Sequence, residues 1–202
     1  MKRGREHLCT TTKDGFSLLE LLLVVAILVT LTTLYWGGTS GNTRRREQQA
    51  ACQHNLERIF MAMEIYANDS GGKFPVVPGA RNPGEVLSLL VPRYTVDTAV
   101  FICPASKDLP LPEGEPFKQH TISYAYYMGR YATNAEALMS DRQVDALAKV
   151  PGQNVFSSNG KPPGNNHEKS GNFLFCDGHV EETRASAPFA LGLGAGVVLL
   201  NP

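Results

Sequence analysis

The chain has 202 residues, 43% of them hydrophobic, and its 19 basic and 19 acidic side chains leave no net charge at pH 7. Nothing in that balance suggests an electrostatic surface of the kind that binds nucleic-acid phosphates, and no nucleic-acid partner is expected. The length suits a short membrane arm and one small soluble domain.

Residues 1–15 are polar, with Lys2, Arg3, Arg5 and Lys13 against Glu6 and Asp14. The positive excess is expected to keep this leader cytoplasmic. An apolar run then extends from Gly15 through Trp36. About 20 apolar residues at about 1.5 Å each cross a bilayer core. The one charge in the run is Glu20. A carboxylate at such a depth costs about 2.5–3.5 kcal/mol on insertion scales, so by default it is functional and calls for a partner. An ordinary secretory signal is cut after its apolar stretch, whereas here the small residue Gly15 precedes it. A cut after Gly15 keeps the helix and creates a new amine at Phe16, about one helical turn from Glu20. In a bundle of such helices, Glu20 of one subunit neutralises the Phe16 amine of its neighbour.

Gly37-Gly38 and Gly41 predict an interruption of the helix beyond the span. Arg44-Arg45-Arg46 reads as a solvated helix face, with lipid headgroups or neighbouring subunits as the other option. Cys52, Leu56, Ile59, Met63 and Tyr66 recur at spacings of four and three, which predicts an amphipathic helix packed on a sheet. The run Asn68-Asp69-Ser70-Gly71-Gly72 before Phe74-Pro75 ends it. Val86–Leu90 reads as a short helix, residues 109–116 as a loop, Ile122–Tyr131 as strand, Glu136–Met139 as strand or helix end, and Gln143–Lys149 as a short helix. Residues 150–166, rich in Pro, Gly, Asn and Ser, form a long surface loop. Phe173–Cys176 is a buried strand, Asp177-Gly178 a hairpin turn, and His179-Val180 opens the return strand. The apolar, glycine-rich stretch Phe189–Leu200 is too short for a second span and reads as a disordered end or a hydrophobic contact between subunits. Gly192, Gly194 and Gly196 lack the βαβ setting of a nucleotide loop.

Of four cysteines, Cys9 leaves with the leader, and Cys52, Cys103 and Cys176 remain. Three thiols allow one intramolecular pair with one left over, and spacing does not choose the pair. Cys52 with Cys103, a staple from helix to loop, is preferred. The absence of a C-x-x-C spacing argues against a zinc or redox site.

The junction Gly15-Phe16-Ser17-Leu18-Leu19-Glu20 resembles the class III leader junction of type IV prepilins and type II secretion pseudopilins. The resemblance implies cleavage after Gly15 by a prepilin peptidase, N-methylation of Phe16, and subunit docking through Phe16 and Glu20 in a homo-oligomeric helical filament. It also implies an inner-membrane assembly platform, a single-pass inner-membrane precursor and a periplasmic head. The segment from Asn55 to Pro75 is similar to the helix end and loop of the major pseudopilin. Phe101-Ile102-Cys103-Pro104-Ala105 resembles a cysteine–proline segment of a related bacterial group. Asn166-His167 followed by Gly171-Asn172-Phe173-Leu174-Phe175-Cys176-Asp177-Gly178-His179-Val180 matches the His-x9-Asp-Gly pattern of a prepilin-like family, departing from it at Cys176, where a small residue is more usual.

The expected fold is therefore α+β, a pilin-like lollipop with a long N-terminal helix packed on a small antiparallel sheet. Its divisions are the leader at 1–15, the span at 16–36, the amphipathic helix at 37–68, the head at 69–184 and the apolar tail at 185–202. For His167, Asp177 and His179, with Asp141, three readings stand open. Histidine and carboxylate together suit zinc or another transition metal. The pseudopilin resemblance implies Ca2+, held by Asp177, Asn172 or backbone carbonyls. In the third, Asp177-Gly178 only makes the turn and His167 pins the long loop. No G-x-S-x-G, H-E-x-x-H or paired carboxylates are evident, so no enzyme is expected. The alternative function is a membrane-anchored module that binds metal or glycan through residues 150–180.

Overall fold

The computed structural model describes residues 17–37, 41–131, 135–157 and 166–202. The chain divides into two compact units, Met1–Thr43 and Arg44–Pro202. In the first, helix α1 (Leu18–Gly37) runs for 20 residues. Its window Leu18–Tyr35 is long and apolar enough to cross a membrane and has no buried residue, a test that a signal sequence also passes. The hydroxyls of Thr30, Thr32 and Thr33 donate to the carbonyls of Ile27, Val29 and Thr30 at 2.8–2.9 Å, so these polar groups are satisfied within the helix. The interruption expected at Gly37-Gly38 falls at residues 38–40, outside the described residues.

Helix α2 (Gly41–Asp69) follows. In the second unit its stripe Cys52, Leu56, Ile59 and Met63 is fully buried. The helix ends where Ser70 and Gly72 donate backbone N–H groups to the Ala67 carbonyl and Gly71 takes a φ of 66°, a left-handed conformation suited to glycine. A short helix α3 (Pro83–Leu87) starts at Asn82, whose side chain accepts from the Glu85 N–H at 2.9 Å. Two single 3-10 turns come next, at Ser88–Leu90 and Thr98–Phe101.

The sheet has five antiparallel strands: β1 (Tyr124–Met128), β2 (Ala137–Asp141), β3 (Ser170–Phe175), β4 (Val180–Arg184) and β5 (Val198–Leu200), in the order β4-β3-β2-β1-β5. The described residues are thus α+β. Along β1, Tyr124, Tyr126 and Met128 face the core that holds the α2 stripe, while Ala125 and Tyr127 face a second core. On β3, Leu174 faces the first core, and Phe173 and Phe175 the second. A register shift between Ala137 and Met139 puts both Leu138 and Met139 on the α2 side.

Among the described residues, no helix closes the second core. Residues around 144–157 and 185–197 cover that face, with Phe156, Phe173, Phe175 and Phe189 in ring contact at 5.2–5.4 Å. The short helix expected over Gln143–Lys149 does not form. The backbone there bonds to distant segments instead: Val144 N–H donates to the Val155 carbonyl, and Lys149 and Leu191 exchange both of their bonds. The apolar tail, expected as a disordered end or subunit contact, supplies β5 and belongs to the head. Leu199 and Leu200 are buried, and Leu200 pairs with Tyr126. The division at residue 184 is therefore not a boundary in the fold.

The Asp177-Gly178 turn docks on α2. Gly178 has a φ of 90°, and a Cβ there would lie 2.5 Å from the Phe60 ring. Replacing Gly178 with Ala imposes both strain and a clash, and is expected to destabilise the head by about 1–3 kcal/mol, read as a lowered urea midpoint.

Candidate functional site

Three buried polar residues of the head, Asn166, His167 and Asn172, converge on Asp141, the last residue of β2, which is 1% exposed. Its carboxylate accepts from the Asn172 backbone N–H at 2.7 Å, the Asn172 side-chain amide at 2.9 Å and the Asn166 amide at 2.6 Å. His167 Nε2 lies 3.5 Å from Asp141 Oδ2. Burial pushes the Asp141 carboxyl above the usual carboxylate range, opposed by His167 and by the donated hydrogen bonds.

Each partner is held from another direction. Asn172, on β3, accepts through its side-chain oxygen from Gln49 and Gln53 of α2, at 2.8 and 3.1 Å. Asn166 also donates to the Ser123 carbonyl at 2.6 Å, just ahead of β1, while its own Oδ1 is buried without a hydrogen-bond partner among the described residues. Helix α2, β1, β2 and β3 thus meet in one polar network inside an otherwise apolar layer.

Sulfur completes the cluster. Cys52 of α2 and Cys103, after the second 3-10 turn, form a disulfide with their Cα atoms 5.4 Å apart. His167 Nε2 lies 3.6 Å from Cys103 Sγ. The Tyr124 hydroxyl donates to Cys52 Sγ at 3.4 Å, and burial pushes its pKa up. Cys176 is buried as a free thiol, and its burial raises it to about 11. The ligand atoms of Cys52, Cys103, Asp141 and His167 all lie within 4.8 Å of one another, and all four residues are buried.

Asp177 and His179 are elsewhere, on the β3–β4 turn. His179 Nδ1 and Asp177 Oδ1 are 2.5 Å apart, with both side chains about half exposed. The His179 ring stacks on Phe175 at 4.2 Å. Among the described residues, His167 therefore joins Asp141 and the two cysteines in a ligand cluster, and Asp177 and His179 do not belong to it. Asn172, considered as an oxygen ligand, is instead a donor to Asp141. Gly15 and Phe16 lie outside the described residues, and Glu20 is exposed on α1.

A polar cavity of about 550 Å³ opens over His167 and Asn166. Its rim carries Arg45, ion-paired with Glu168 at 2.6 Å, and Arg142, bonded to both Asp108 oxygens at 2.9 and 2.8 Å. From sequence, His167 and Asp141 are candidate ligands, whereas Cys52 and Cys103 have only a stapling role. Their proximity to Asp141 depends on strand pairing that no local spacing encodes.

Replacing Asp141 with Ala strands the donors of Asn166 and Asn172 in the interior. It is expected to cost about 3–5 kcal/mol in denaturant unfolding. At the turn, desolvation raises the Asp177 carboxyl, but hydrogen bonds from the His179 ring and backbone outweigh it and leave Asp177 below its ordinary value of 3.8. Its contribution to stability is therefore present above that ordinary value and lost as pH falls through the depressed one. His179→Ala is expected to move the Asp177 midpoint upward in a carboxyl carbon NMR titration. No family model, curated protein or solved structure matches the chain.

Proposed function

We propose that the chain is a structural subunit of a pilin-like filament, of the type II secretion pseudopilus or type IV pilus kind. In this reading the precursor waits in the inner membrane, is cut after Gly15 and N-methylated at Phe16 by a prepilin peptidase, and is drawn by an assembly platform into a filament of like subunits. The observation that carries the reading is α1: a helix apolar on every side, exposed throughout Leu18–Tyr35, with Glu20 as its one charge.

A helix of this kind gains nothing hydrophobic by leaving lipid unless neighbouring helices replace the acyl chains. A filament core of packed α1 helices supplies that replacement. It also supplies a cation for Glu20, the terminal amine of a neighbouring Phe16, and so offsets the cost of keeping a carboxylate in an apolar layer. The head, an amphipathic helix on an antiparallel sheet, is the part that meets partners outside the core. In the pilin-like shape the membrane helix and this head make one lollipop.

A second reading, a membrane-anchored binding module for metal or glycan, has the polar cavity over His167 in its favour. The two readings part at Glu20. In cells with an active prepilin peptidase, Glu20→Ala is expected to yield a chain that begins at N-methyl-Phe16 but enters sheared filaments at least about tenfold less than the parent, consistent with loss of a charge pair of roughly 1.4 kcal/mol. Intact mass gives the processing and immunoblots of the filament fraction give the assembly. A parent chain that still begins at Met1 refutes the filament reading, and normal assembly of Glu20→Ala refutes the docking role.

A further inference from the structure

The disulfide and the Asp141–His167 pair occupy the same small volume, and the four residues present a donor set with a chemistry of its own. Two sulfurs, an imidazole nitrogen and a carboxylate oxygen are a set that zinc takes in tetrahedral sites. With Zn–S about 2.3 Å and Zn–N about 2.0–2.1 Å, the edges of such a tetrahedron are about 3.3–3.8 Å. His167 Nε2 already stands at 3.6 Å from Cys103 Sγ and 3.5 Å from Asp141 Oδ2. All four donor atoms lie within 4.8 Å of one another.

The surroundings are those of a supported site. The Asp141 oxygens are oriented by Asn166 and Asn172, as carboxylate ligands are oriented by outer hydrogen bonds. Tyr124 donates to Cys52 Sγ, and the Ala105 N–H donates to Cys103 Sγ at 3.4 Å, contacts that favour thiolate over thiol. His167 also lines the polar cavity, which gives an ion a route to the cluster.

We infer that Cys52, Cys103, Asp141 and His167 form a redox-gated site for a zinc-type divalent ion, closed in the disulfide form and open when that bond is reduced. A dithiol reductant supplies two electrons and two protons, the sulfur–sulfur bond breaks, and the reductant leaves as its own disulfide. The ion then displaces both thiol protons to solvent and binds two thiolates, the Asp141 carboxylate and the neutral His167 ring. The inference stands on the head alone and is independent of filament assembly.

The test uses Co2+ as the probe on the untagged full chain in detergent, with Cys9→Ser to remove the leader thiol. Oxidised protein and protein reduced with a dithiol, then freed of reductant under anaerobic conditions, are titrated side by side. The expected result is about one equivalent of Co2+ in the reduced form, with thiolate charge-transfer and tetrahedral visible bands, and none in the oxidised form. Zn2+ is expected to bleach the bands by displacement. His167→Ala and Cys103→Ser are expected to weaken uptake at least about tenfold, the lower end for loss of site geometry, whereas His179→Ala keeps it. Near-ultraviolet circular dichroism of each sample shows whether the head remains folded. Reduced parent chain that takes up no Co2+, whether folded or not, overturns the inference. Uptake that is equal in the oxidised form, or that is lost in His179→Ala and kept in His167→Ala, overturns it too.

Discussion

Removing a carboxylate from water costs several kcal/mol unless the protein replaces the lost hydration. At Asp141 the replacement comes from three residues of one short segment: Asn166, His167 and the side chain and backbone of Asn172. Those partners are held in turn by Gln49 and Gln53 on α2 and by the Ser123 carbonyl before β1. The register of β1, β2 and β3 and the seating of α2 are therefore fixed by one charge that tolerates few alternative arrangements. Apolar packing on either side of the sheet supplies the bulk of the stabilisation, but it is less particular about register. A network of this kind adds uniqueness where hydrophobic contact alone is permissive.

The two faces of the sheet are closed by different means. On one, α2 lays down Cys52, Leu56, Ile59 and Met63 in a continuous stripe. On the other, irregular chain around 144–157 and 185–197 does the covering, satisfying its backbone through long-range pairs such as Lys149 with Leu191 and Asn154 with Ser186. The cavity over His167 is not walled by these covering segments; it lies between α2, residues 105–108 and residues 166–170, with Arg142 at its rim.

What could be read in the sequence follows from how local each signal is. The α2 stripe has a helical period, the Phe173–Phe175 run leads into an Asp-Gly turn, and α1 is uniformly apolar, so all three were visible from spacing alone. Gln143–Lys149 was misread as a helix because its composition suits one, while the bonds that decide its shape come from Val155 and Leu191. The tail was misread because glycine and leucine in alternation say nothing about a partner strand, and that partner, β1, lies some 70 residues earlier in the chain, a separation that periodicity does not report. His167 and Asp141 were visible as chemistry, but their neighbours were not. Cys52, Cys103, Asp141 and His167 come from four separate segments, and only the folded sheet makes them adjacent.

Strand β5 follows every other described element of the head in chain order, and it pairs with β1 as the edge strand of the sheet. During synthesis, β1 has an unpaired edge, and Leu199 and Leu200 are missing from both cores, until residues 198–200 have emerged. The α2 stripe and the hairpin of β3 and β4 can form earlier, from contacts closer in sequence. The head is thus a late-closing structure: a nascent chain paused before Val198 carries an exposed strand edge able to pair with the wrong partner.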